Sequence, residues 1–187
     1  MAVYTDSPYF AASLLDDEVA RQLASVRTAD EEIRPVLDRI FVGNQNLHKA
    51  PWGLPYQVLV TEHATRSHYD QLIELARDRS GLPDRVACLA GSGRNFHGFK
   101  GRSWAAVPGN IHLSVFLAPN CPVDRFQVAF TALAALSVVE ALDQVRGLSA
   151  CPRIKWVNDI LLGNAKVAGI LAYTQSRDTT VTSVVLG

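Results

Sequence analysis

Several features that would narrow a function early are scarce in this chain. Of its 187 residues three are cysteine, Cys88, Cys121 and Cys151, and none forms a CxxC pair. An odd, scattered set supports neither a disulfide framework nor a thiolate zinc site, so reduced and packed thiols are expected. Charge of either sign is not in excess: eighteen Lys and Arg meet eighteen Asp and Glu. A broad face for duplex DNA needs surplus cations, so no nucleic-acid partner is expected. Long apolar runs are missing too. The longest, residues 126–139, has 14 residues, with Glu140 and Asp143 near its end. A spanning helix needs about 20, so this run reads as a buried helix and no membrane role is expected. The first twenty residues lack a basic stretch and turn acidic, which is no secretory signal; a cytoplasmic address is expected. With 48% hydrophobic and 19% charged residues, the chain is not of disordered composition. Its length suits one domain, or one with an appendage.

What is present divides near residue 55. Residues 13–39 place Leu14, Leu15, Val19, Leu23 and Val26 at helical spacing. Residues 1–55 hold five basic and eight acidic residues, net −3, and read as an acidic helical segment without an assigned task. Pro51, Gly53 and Pro55 mark its exit. Beyond it, strands are expected at 56–61, 85–90, 110–117, 153–156, 160–162, 166–174 and 180–186. Helices are expected at 67–78 and 123–145, and Gly163-Asn164 signals a hairpin turn. Helices come early and strands late, which indicates an α+β class with a mostly antiparallel, mixed sheet packed against helices.

Two stretches are composed for something besides packing. Residues 91–104, GSGRNFHGFKGRSW, carry four glycines with Arg94, His97, Lys100 and Arg102. Glycines let backbone N–H groups approach an anion and the cations neutralise it, so the loop suits a phosphate or a carboxylate. It has neither the Walker pattern nor GxGxxG. Residues 155–171, KWVNDILLGNAKVAGIL, set Lys155, Asn158, Asp159 and Lys166 among strand-forming residues. The lysines offer charge to a polyphosphate. Asp159 can hold Mg²⁺ or orient an amine, and Ala168-Gly169 lets a ligand lie close to backbone.

Together GRSW, PGNIHLSVFL and KWVNDILLGNAKVAGIL resemble the catalytic domain of biotin protein ligases, in the biotin/lipoate ligase family. The resemblance covers residues 56–187. It implies a class II synthetase-like fold and a two-step reaction. ATP, with Mg²⁺, activates biotin to biotinyl-AMP, and a lysine of a biotin carboxyl carrier domain then takes the acyl group. By the same resemblance Lys166 contacts the ligand carboxylate and phosphate. Lys155, Asn158 and Asp159 serve the nucleotide and metal side. The loop residues Arg94, His97, Gly98, Lys100, Gly101 and Arg102 fold over the adenylate, Trp104 walls the pocket, and Thr65 lies by the acyl ligand. A homodimer through sheet edges is open.

The match has departures. Where the family has GRGRRGR this chain has FHGFKGR, so His97 and Phe99 replace two arginines; KWPND has become KWVND. Three readings stay open: Arg94 and His97 do the arginines' work, the acid is a different one, or the ligase is degenerate. A lipoate or octanoate enzyme and a non-catalytic binding domain are the alternatives. Residues 180–187 resemble the strand leading into a GIGINVN-like segment, so further chain is expected beyond the part compared.

Overall fold

The computed structural model describes residues 1–26, 30–43, 46–78, 82–122, 128–149 and 151–187. They form two compact units, Met1–Ala118 and Pro119–Gly187. In the first, β1 (Ala2–Thr5) is followed by two short helices, α1 (Pro8–Ala12) and α2 (Asp17–Arg21), and β2 (Ala24–Val26). Next come α3 (Arg34–Ile40), β3 (Leu47–Pro51), β4 (Gln57–Ala64), α4 (His68–Arg77), β5 (Val86–Gly93) and β6 (His112–Leu117). Within this unit the strands lie in the order β6-β5-β4-β1-β3-β2. β4 is parallel to β1 and to β5; the other pairs are antiparallel. This is the mixed, mostly antiparallel sheet with helices that composition and order predict.

Alternation decides which face each residue serves. On one face Val3 and Val60 pack with Ala11, joined by Phe10, Val19, Leu23 and Trp52. On the other, Tyr4, Leu59, Cys88 and Ala90 are buried, and α4 contributes Leu72, Ile73 and Leu75. Helix α4 begins where Ser67 Oγ accepts the Asp70 backbone N–H at 3.4 Å, an N-cap that leaves the acidic Asp70 in the first turn.

The first 55 residues depart from the helical expectation. All four residues of β1 are buried, and β1 runs between β4 and β3. Four residues are too few for periodicity to register, so the sequence hides a central strand. Helix α2 ends at Arg21 and Ala24–Val26 extends along β3. Val19 and Leu23 still reach the core, which is why their spacing resembled one helix. Part of the expected 13–39 helix, residues 27–29, lies outside the described residues.

The second unit contains β7 (Cys121–Pro122), α5 (Ala129–Asp143), β8 (Pro152–Lys155), β9 (Asp159–Leu162), β10 (Ala165–Gly169), β11 (Ala172–Arg177) and β12 (Thr180–Leu186). β10-β9-β8 make an antiparallel three-stranded sheet, while β12 pairs with β11 and β7. The hairpin at Gly163-Asn164 forms as expected, with φ +59 at Gly163 and Leu162 opposite Ala165. The strand expected at 166–174 divides, because Ile170 and Leu171 turn the chain from one sheet to the other. Of the 123–145 helix, residues 123–127 lie outside the described residues. The expected buried helix is only partly so: Phe130 and Ala135 are buried, while Leu133 and Leu136 are exposed. None of the described helices is long and apolar enough to cross a membrane. All three cysteines are free thiols, and burial pushes the Cys88 thiol up.

Candidate functional site

In the first unit the glycine-rich stretch does not begin as a loop. Gly91, Ser92 and Gly93 are the last residues of β5, with His63 opposite Ser92 and Ala64 opposite Gly93. The two glycines are packing glycines. A Cβ on Gly91 would run into the Phe10 ring of α1, and one on Gly93 would meet Phe96 and, at 2.8 Å, the Ala64 carbonyl. Ser92 Oγ donates to the Glu62 carbonyl (3.1 Å) and lies 3.0 Å from His63 Nδ1, so the imidazole N–H donates to it.

The loop proper starts at Arg94, whose N–H donates to the Ala64 carbonyl at 3.0 Å. Thr65 is the next residue, exposed in the turn before α4. Strand and loop thus bring Thr65 and the base of the loop together. From there the chain folds on itself. Trp104 N–H donates to Phe96 O (3.1 Å), His97 pairs with Ser103, and Gly98 N–H donates to Arg102 O (2.7 Å). The tip turns through left-handed residues, Lys100 at φ +59 and Gly101 at φ +70. Gly101 meets nothing within 4 Å where a Cβ would go, so backbone conformation alone explains its glycine. Arg94, Lys100 and Arg102 are exposed and Trp104 is half-buried. The result is a cationic tongue with accessible backbone at its tip.

His97 is placed differently from the other loop residues. Its Nε2 lies 2.9 and 3.0 Å from the two Asp70 carboxylate oxygens, and its Nδ1 lies 3.2 Å from the Gly98 carbonyl. Both partners are acceptors, so the protonated ring, with two N–H donors, satisfies both of them. The Asp70 hydrogen bond, then the Gly98 carbonyl, raise its pKa above the ordinary histidine value. Neither ring nitrogen is left to meet a ligand.

In the second unit, every predicted residue gathers round Asp159. In the three-stranded sheet Asp159 is opposite Lys155 on β8 and Gly169 on β10. Lys166 reaches across from β10 to place Nζ 2.7 Å from Asp159 Oδ1. Asn158 braces the exit of β10: its Nδ2 donates to the Ile170 carbonyl (3.2 Å), and Ile170 N–H donates to the Asn158 carbonyl (2.8 Å). Asn158 therefore shapes the backbone beside Gly169. The Trp156–Val157 peptide is cis. A lysine ammonium, a carboxylate and the backbone of an edge strand stand together here, chemistry suited to a carboxylate or phosphate.

The described residues hold no convergent group of three His, Cys, Asp or Glu side chains. Asp159 is a single carboxylate already carrying an ammonium, so its surroundings do not build a resident metal site. A Mg²⁺ ion held by Asp159 would have to bring most of its oxygen ligands with it, as Mg²⁺ commonly does on phosphate oxygens. Spacing did not reveal Asp70, which lies 27 residues from His97. Scattered histidines ordinarily lie at the surface or are satisfied in the core, but His68 and His112 are buried, with His68 Nδ1 and His112 Nε2 without a hydrogen-bond partner. Burial, with His112 nearby, lowers His68 to about 4. A surface cavity of about 570 Å³ opens at Ser25, Lys49 and Gln57; none of its lining residues is a predicted site residue, and its Lys49 is paired to Asp30 at 3.0 Å.

Residues 85–187 match the biotin/lipoate A/B protein ligase family. The chain is similar to the bifunctional ligase/repressor BirA of Bacillus spizizenii, 31% identical over 135 residues, covering 72% of this chain and 38% of that protein. It is similar to the biotin–[acetyl-CoA-carboxylase] ligase of Paracoccus denitrificans, 36% identical over 124 residues, covering 66% of this chain and 50% of that protein. The chain thus spans half or less of the length of these relatives. Its fold resembles the biotin protein ligase from Aquifex aeolicus in complex with biotin and ATP, with TM-score 0.53 and 20% identity over 71% of this chain and 52% of that one. The Leishmania major enzyme in complex with biotin gives TM-score 0.53 and 21% identity, over 71% of this chain and 56% of that one. With the family's pattern running over more than half of its residues, this chain belongs to the biotin/lipoate A/B protein ligase family.

Proposed function

We propose that the chain carries the chemistry of a biotin protein ligase: it activates biotin with MgATP and passes the acyl group to a lysine of a biotin carboxyl carrier domain. In the first step a biotin carboxylate oxygen bonds to the α-phosphorus and the bond to pyrophosphate breaks. In the second, the lysine amine bonds to the acyl carbon, the carbon–oxygen bond to AMP breaks, and the amine gives up a proton. Both steps develop or move negative charge, so fixed cations stabilise them.

The arrangement round Asp159 carries the reading. Lys166 offers an ammonium to the acyl carboxylate or its phosphate, and Lys155 offers a second cation from the facing strand. Asp159 is the group suited to receive the incoming amine. In the first unit, the exposed Arg94, Lys100 and Arg102 offer charge to phosphates. The names of the Bacillus and Paracoccus relatives support biotin as the acid and a carboxylase as the source of the acceptor. The word repressor in one of those names is not carried over: residues 1–55 are net −3 and their first strand lies in the sheet. The reading places the work in the cytoplasm, where ATP and reduced thiols coexist.

Exchange of labelled pyrophosphate into ATP tests this directly, in parallel with biotin, with lipoate and without acid. Exchange that depends on biotin is the expected result. Dependence on lipoate instead moves the chain to the other branch of its family. A folded chain that exchanges with neither acid is a binding module, and the ligase reading is then wrong.

A further inference from the structure

We propose that His97 is a positioning residue: clasped between the Asp70 carboxylate and the Gly98 carbonyl, it latches the 94–104 loop to the first turn of α4. The latch sets where Arg94, Lys100 and Arg102 present their charge. Three observations meet here. Both His97 nitrogens lie within hydrogen-bond distance of acceptors, 2.9 Å and 3.2 Å away. The anchor, Asp70, is itself placed by the Ser67 cap at the start of a helix whose next turn is in the core. Backbone bonds hold the loop at its base, where the Phe96 ring also lies 5.0 Å from that of His112 on β6, and His97 ties its middle to α4.

The groups that face the ring are Asp70 and Tyr69 of α4, Tyr69 edge-on with centroids 6.5 Å apart, and the Gly98 carbonyl. Arg66 also feels the Asp70 charge but is held by Glu74 at 2.6 Å. The protonated ring donates to both partners, and its bond to Asp70 is then charge-assisted. The latch is strongest below the ordinary histidine pKa of about 6.5 and weakens as pH rises through the raised value of the folded chain, where the neutral ring keeps one of the two bonds. With His97 and Asp70 each about a third exposed, the effect is modest.

The consequence for substrate rests on the ligase reading, so the test has one readout that does not. Imidazole titration by NMR should find His97 with a raised pKa that falls back in Asp70→Asn. Trypsin at one fixed pH should cut faster after Lys100 and Arg102 in Asp70→Asn and in His97→Gln. ATP affinity of the wild type should weaken about two- to fivefold across the His97 titration, and both variants should lose that step; comparing them with wild type cancels the ionisation of ATP. An ordinary His97 pKa, or cleavage and ATP affinity indifferent to both substitutions, would overturn the latch. Titration and cleavage as expected, with no ATP bound at any pH, would uphold the latch and overturn the ligase reading.

Discussion

At the scale of single residues, the second unit turns on one carboxylate. Asp159 is 20% exposed and Lys166 40% exposed, so their pair contributes to stability by under about 1 kcal/mol. Under the proposed ligase reading, what Lys166 supplies is charge to a ligand. Lys166→Ala is therefore expected to keep its urea midpoint within that margin and to lose about a hundredfold or more in adenylate formation. Pyrophosphate exchange beside equilibrium unfolding reads both; wild-type exchange in the variant would take Lys166 out of the site. KWVND and KVAGIL lie close along the chain, and one hairpin brings Lys166 against Asp159. Residue identity was a poor guide in GSGRNFHG. There the first two glycines exist for Phe10, Phe96 and the Ala64 carbonyl, all of them tertiary neighbours.

At the scale of elements, α4 against the sheet creates a sensitivity to acid. His68 from α4 and His112 from β6 are both buried, each with a ring nitrogen unpartnered. Desolvation lowers His68 to about 4, against an ordinary 6.5. Between these values the unfolded chain takes a proton that the folded chain refuses, so stability falls as pH drops through this window. The full loss from His68 is about 3 kcal/mol. His112 is also lowered, by burial, and acts in the same sense. His97 acts in the opposite sense, but it is exposed and weak. Urea midpoints measured stepwise from neutral pH towards pH 4 should fall, and His68→Phe should flatten the slope. A slope unchanged in that variant would show that His68 is not the group responsible. Strands β4, β5, β6 and β12 and helix α4 were legible because their alternation or helical spacing runs for six residues or more. β1 was not, with four residues between a start and a Ser-Pro turn.

At the scale of the whole molecule, the three thiols report on the two units separately. Cys88 is fully buried in the first unit and its thiol is raised by desolvation, while Cys151 in the second is exposed. Alkylation in native buffer should mark Cys151 promptly and leave Cys88 untouched until the first unit unfolds. Mass spectrometry after timed iodoacetamide treatment measures both, and early modification of Cys88 would contradict the packing of β5 described here. Neutral overall charge bears on this scale as well. Charge is not absent but concentrated, with cations on the 94–104 tongue and an acidic excess in residues 1–55.

The sequence by itself determined the class of fold, the family and the cluster around Asp159. Each of these depends on patterns local in the chain: alternation, turn residues, and a hairpin that brings Lys166 back over Asp159 within a few residues. Only the tertiary structure decided the rest. It put a four-residue strand at the centre of a sheet, assigned Gly91 and Gly93 to packing, left one ring nitrogen each of the buried His68 and His112 unpartnered, and gave His97 to Asp70. The physical reason is the same throughout: burial, close approach and charge pairing depend on atoms brought near by folding, and no spacing along the chain records them.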